Sequence, residues 1–235
     1  MSYTMDYPLA ARATATERVA FIRRTYAHLA GAILAFVGLE ALLLQLLTND
    51  QTIMKLMAGA RGSWLVVVFA FIGVSWLADR WAQSDTSVGL QYLGLSLYVV
   101  AEAVIFLPLM WYAKTFSPDA IPTAGIITLG LFGGLTASVF FTRGDYSYLY
   151  PILSIGSFVA LAFVVAAVIF PFSNMVMLIF SFAMVALASG CIIYSTSNIL
   201  HHYRTDQHVA AALALFAAVA VLFYYVLRIL IRSRN

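Results

Sequence analysis

One cysteine, Cys191, is all that this chain of 235 residues carries. No intrachain disulfide can form, and the redox compartment cannot be read from sulfur. Charge is scarce as well: 10 % of residues are Asp, Glu, Lys or Arg, against 63 % hydrophobic. A soluble domain carries about 25 % charge, so a soluble globular fold is excluded. The net charge of +3 is small, and its basic residues sit at the ends of apolar stretches. Such placement anchors to lipid headgroups and does not point to nucleic acid. Long polar stretches are missing too. The longest runs from Met1 to about Glu17 and has no apolar h-region before a small-residue cleavage site, so no removable signal peptide is expected. No aspartate occupies the core of an apolar stretch, and no serine there has a membrane-embedded histidine beside it. Intramembrane proteolysis needs such groups, so no catalytic residue, metal or cofactor is expected, and nucleotide-binding motifs are absent.

What the chain has is seven long apolar stretches, at 24–47, 64–81, 88–112, 122–141, 149–170, 175–199 and 210–231. Each approaches the ~20 residues that a helix rising ~1.5 Å per residue needs to cross a ~30 Å hydrocarbon layer. In lipid, backbone polar groups must be satisfied within their own segment, which makes these stretches helices. The expected fold is all-α: one polytopic bundle of seven transmembrane helices over 22–235, after a polar segment and interfacial helix start over 1–21.

Orientation follows from Lys and Arg near the helix ends. Arg12, Arg18, Arg23 and Arg24 precede the first helix and, with Arg80, Arg143 and Arg204, make seven inner cations. Lys55, Arg61, Lys114, Arg228, Arg232 and Arg234 make six outer ones. The bias places the N-terminus inside. Seven crossings would then place the basic C-terminus outside.

Thr14 and Glu17 fit a capping box, so the first helix is expected to start near Ala15. Trp64, Trp76, Trp81, Trp111, Tyr112, Tyr146, Tyr148 and Tyr150 cluster near helix ends, where amphipathic rings settle at headgroup level. Gly130, Gly134 and Ser138 are spaced four apart in the fourth helix, and Ala186 and Gly190 repeat the interval in the sixth. Small residues at this spacing let two backbones approach closely. Packing within the bundle is the first reading; a homodimer seam or a partner-binding face is the alternative.

Glu40 and Glu102 are the only carboxylates deep within the apolar stretches. With the first and third helices both running outward, they fall within ~5 Å of one depth in the outer half. Arg228 lies further out on the same side. Ionisable groups at such depth are costly and point to a site. Two of them together share a proton, since neither desolvation nor like charge favours a second negative charge. That suits a proton or cation path. The alternative is a pair of neutral acids, or an ion pair with Arg228, held inside the bundle, with Tyr98 as local partner of Glu102. His201, His202, His208 and Asp206 surround the loop after the sixth helix. Adjacent histidines on a helix diverge by about 100°, which favours solvated interfacial groups over a metal site. His28 reads as interfacial.

Three segments together resemble the Bax inhibitor family of membrane proteins. They are Thr142-Arg-Gly-Asp-Tyr-Ser-Tyr-Leu149, Ile193-Tyr-Ser-Thr-Ser-Asn-Ile-Leu-His201, and Ala212-Leu-Ala-Leu-Phe216 continuing to Leu222-Phe-Tyr-Tyr-Val-Leu-Arg228. The resemblance implies seven membrane helices from about Glu17 onward. In calcium-leak members it implies a pH-sensitive latch of two aspartates, and those positions here are Ser195 and Ala218. Serine and alanine cannot change charge, so a protonation latch cannot work through them. The Tyr-x-Thr-Ser-Asn-Ile form is similar to the YccA branch, whose bacterial namesake modulates the membrane protease FtsH. The resemblance therefore implies a bacterial inner-membrane protein that accompanies or modulates a membrane complex. A pH-sensitive cation leak using Glu40 and Glu102 is the alternative. The candidate partners are the lipid bilayer, a membrane protease or another complex, and a cation.

Overall fold

The computed structural model describes residues 8–46, 61–84 and 87–233. They form seven helices: α1 (Ala15–Leu46), α2 (Arg61–Ala82), α3 (Val88–Phe116), α4 (Ala120–Thr142), α5 (Leu149–Ile169), α6 (Asn174–His201) and α7 (His208–Ser233). Among the described residues, α1 and α3 to α7 are long and apolar enough to cross a membrane. The helix starts carry the chemistry that helix N-termini need. At α1 the Thr14 N–H and hydroxyl both donate to Glu17 Oε2 (3.0 and 2.8 Å), and the Glu17 N–H returns to Thr14 Oγ1 (3.3 Å). The expected capping box therefore forms, and α1 begins at Ala15. Ser87 and Ser173 cap α3 and α6 in the same way, accepting from the Leu90 and Val176 N–H groups.

The helices are not equivalent. α7 is the axis of the bundle, packed against α1, α2, α3, α4 and α6. Five of its alanines, Ala210, Ala211, Ala212, Ala218 and Ala220, are buried. Without a hydrophobic drive between helices in lipid, small side chains that admit close neighbours decide which helix sits innermost. Aromatic rings fill the space beside them: Phe36 of α1 meets Phe106 of α3 at 5.0 Å and Phe216 of α7 at 6.0 Å. α5 is the opposite case. Of its residues only Ala160 is buried, and Ile152, Ile155, Phe158 and Val159 face outward.

α2 and α3 make the tightest backbone contact. A Cβ added at Gly94 would lie 2.5 Å from the Ala78 carbonyl oxygen and 2.8 Å from the Ala82 nitrogen. The small-residue stripe of α4 does something else. Gly130, Gly134 and Ser138 are exposed, and a Cβ at either glycine would meet nothing within 4 Å. They face the bundle's surroundings and bring no two of its helices together, which corrects the first reading of that stripe. On α6, Ala186 is exposed too, whereas a Cβ at Gly190 would meet Leu153 of α5 at 2.8 Å.

Candidate functional site

Between α5 and the rest of the bundle lies a cavity of about 1240 Å³, walled by α2, α3, α5, α6 and α7. It exists because α5 is held to α6 at separate points. Close to Gly156 packs Leu187, close to Gly190 packs Leu153, and further out Phe163 stacks on Phe180 at 4.1 Å. Those contacts leave the α7 side of α5 unfilled. The walls are mostly aliphatic and aromatic, and few polar groups interrupt them.

Glu102 is one of these polar groups. It is buried on α3 and lines the cavity, with Tyr98, one turn earlier, as its hydrogen-bonding neighbour. Ser195 of α6 and Ala218 of α7 line the same space. The two positions expected from the resemblance to correspond to an aspartate latch thus line the Glu102 cavity, but neither carries a charge. Arg228 lines it near the C-terminal end of α7. Glu102 and Arg228 form no ion pair. The rings of His28 and His208 touch (4.9 Å) and His28 bonds Tyr92, which sets a common level for these residues of α1, α3 and α7. Counting ~1.5 Å per residue from there, Arg228 lies about 15 Å further along the bundle than Glu102.

Glu40 stands apart. By the same count it shares the depth of Glu102 to within about 3 Å, yet it does not line the cavity. It ends a buried stripe along α1 formed by Phe21, Thr25, Leu29, Ala32 and Phe36. It is 1 % exposed, and neither carboxyl oxygen finds a hydrogen-bond partner among the described residues. The two carboxyls are level but do not face a common space. A path that needs water at both is therefore not what this geometry provides.

The end of the bundle that carries the loops after α4 and α6 holds a second arrangement. The segments 142–149 and 193–201 dock on each other through Ser197, which is fully buried. Its Oγ accepts from the Tyr146 N–H (2.9 Å) and donates to the Gly144 carbonyl (3.3 Å). Arg143, with φ 50°, turns the chain out of α4 so that this loop can reach α6. Asp145 bonds His202 at 3.2 Å. Hydrogen bonds from Ser147 first, then His202, hold the Asp145 carboxyl down at about 2. Sequence reasoning missed Ser197, although it lies inside a motif already singled out. Its replacement by alanine removes both bonds from a part-buried N–H and a part-buried carbonyl, so Ser197→Ala should cost about 1–3 kcal/mol. An apparent melting midpoint lowered by roughly 2–12 °C in detergent is the expected readout.

Two other histidines are held by local bonds. His28 Nδ1 donates to the Arg24 carbonyl (2.7 Å), so in the neutral ring Nε2 accepts from Tyr92 (2.7 Å). His201 Nδ1 bonds the Ser197 carbonyl, and Asp206 pairs with Arg204 at 2.9 Å. No three candidate metal ligands come together among the described residues. The N-terminal segment is pinned here as well: the Ala10 N–H donates to the Tyr203 carbonyl (2.8 Å) and the Thr205 N–H to the Pro8 carbonyl (3.2 Å).

The chain is similar to proteins of bacteria and plants. An uncharacterized protein of Pseudomonas aeruginosa is 28 % identical over 213 residues, covering 88 % of this chain and 87 % of the relative. Protein LIFEGUARD 4 of Arabidopsis thaliana is 26 % identical over 215 residues, covering 90 % and 84 %. A BI1-like protein of the same plant is 29 % identical over 113 residues, 47 % of this chain and 44 % of its own. The family described as inhibitor of apoptosis-promoting Bax1 matches residues 18–235. With that match over nearly the whole chain and six membrane-length helices, this protein is a member of the Bax inhibitor family.

Proposed function

We propose that this is a non-enzymatic, seven-span protein of the bacterial inner membrane, with its N-terminus cytoplasmic and α2 making the remaining crossing. In this reading it accompanies or modulates a membrane protein complex, with an FtsH-type protease as the first candidate. The observation that carries the reading is the lipid-facing stripe of α4. Among the described residues nothing lies within 4 Å of a Cβ built at Gly130 or Gly134, and small residues at this spacing give a lane that accepts a second helix backbone. The pinning of residues 8–13 refines the expectation of an N-terminal handle. A protease gripping the cytosolic end would have to start from Met1 to Tyr7, which lie outside the described residues, or else detach the segment from the 202–207 loop.

Co-purification of the tagged chain from mild detergent tests this. Recovery of a membrane protease or another complex with the wild type, and its loss from a Gly130→Leu, Gly134→Leu variant that still folds, is the expected result. The chain recovered alone, with protease substrates degraded normally after its deletion, would overturn it. A second reading, a pH-sensitive cation leak, has one observation in its favour: Glu102 faces the cavity. Liposomes loaded with a calcium dye decide it. Flux between roughly pH 5 and 8 that disappears in Glu102→Gln would support a leak, and no flux at any pH would remove it.

A further inference from the structure

The cavity is too large and too apolar to be shaped for an ion. Pockets for organic ligands run to about 300–1,000 Å³, and this one exceeds that range at about 1240 Å³. Over most of its length it is walled by side chains such as Ile105, Leu161, Val164 and Met184. At its outer end stands Arg228, for which the described residues supply no hydrogen bond and no ion pair. Arg232, one turn on, bonds the Asn174 carbonyl at 3.3 Å. The outer mouth is therefore basic, and no described carboxylate pairs with it.

We propose that the cavity holds an anionic amphiphile. Its phosphate or carboxylate would accept hydrogen bonds from the Arg228 guanidinium, and its acyl chain would run inward past Met184 toward Glu102. Three features fit this occupant. A guanidinium fork matches phosphate and carboxylate geometry, and Arg228, half-buried at the cavity's end, has no such partner among the described residues. Arg228 lies about 30 Å outward of His208 along α7, which is the thickness of the hydrocarbon layer. A headgroup placed there sits at membrane–water level, with its tail pointing to the bilayer centre as in the lipid around it. The aliphatic walls supply the tail with the contacts that lipid would otherwise give. No residue of α4 lines this cavity, so the occupant is separate from the partner face proposed above.

Native mass spectrometry of the full-length protein in mild detergent, titrated with phosphatidylglycerol, phosphatidylcholine or palmitate, tests the assignment. Retention of phosphatidylglycerol or palmitate at least about tenfold above phosphatidylcholine is expected, since charge-assisted bonds to arginine set the difference. Retention of palmitate identifies a free fatty acid as the source, and of phosphatidylglycerol alone a phospholipid. Arg228→Gln should weaken retention about tenfold, Arg228→Lys should keep most of it, and Leu161→Trp should abolish it by filling the tail space. Arg143→Gln, at an exposed cation beyond the cavity, should bind as the wild type does. Should Arg228→Gln fail to fold, the headgroup preference together with Leu161→Trp decides. Equal retention of all three probes, retention of none, or undiminished retention by Leu161→Trp would overturn the proposal.

Discussion

Gly94→Val should be the most damaging single substitution in the bundle, with the apparent melting midpoint falling by roughly 6–12 °C or the folded species lost. The reason is which atoms stand in the way. The added Cβ would lie 2.5 Å from the Ala78 carbonyl oxygen and 2.8 Å from the Ala82 nitrogen, and both belong to the backbone of α2. No side-chain rotation relieves such a clash, so α2 must move away from α3 as a body. Overpacking of a filled interior costs about 1–3 kcal/mol, and more where the neighbour cannot yield. Gly134→Leu is the control. The same residue type in α4 has nothing within 4 Å of its Cβ position, and its replacement should leave the midpoint unchanged. Thermal unfolding followed by size-exclusion fluorescence distinguishes the two. Equal losses would show that the α4 lane is filled in the folded protein.

Glu40→Met should work in the other direction and raise the midpoint by roughly 2–12 °C. Glu40 is 1 % exposed, and both of its oxygens lack hydrogen bonds among the described residues. A buried polar group without partners costs about 1–3 kcal/mol, and an apolar side chain of similar length in its place removes that cost. Met is the suitable replacement because its flexible chain follows the space that the glutamate occupied. Glu40→Gln keeps a polar group in the same place and should gain little. Calorimetry or fluorescence on the three proteins in one detergent gives the comparison. A lower midpoint for Glu40→Met would mean that the carboxyl has a partner that holds the fold together.

The helices were legible because lipid leaves a chain few options. Apolar stretches of membrane length must be helical, and the Thr14–Glu17 box marks where the first begins. The side on which each residue points was less legible, for the same physical reason. In water an apolar stripe faces the core, but in lipid every face is apolar, so α5 and α7 read alike although one lies outside and the other at the centre. The difference lay in alanine, with seven along α7 against four along α5, while phenylalanine and valine are equally frequent in both. Size also misled at α4, where Gly130 and Gly134 carry the interval of a packing motif and yet face outward. Gly94, which does make the close contact, has no small residue four positions away and gave no periodic signal. The depths of Glu40 and Glu102 followed from counting residues. Their directions did not, since one lies in a packed stripe and the other on a cavity wall. The two loop motifs were visible as text, but that Ser197 joins them required the fold.

Site-specific photo-crosslinking in intact cells tests the partner reading most directly. A photoreactive residue at position 134 should give a discrete adduct that contains a different membrane protein, with a protease subunit as the first candidate. The same residue at position 155 should give none, because Ile155 on α5 is exposed too (65 %) but offers no lane for a second backbone. Adducts of equal yield from both positions, no adduct from 134, or an adduct made only of a second copy of this chain would contradict the account.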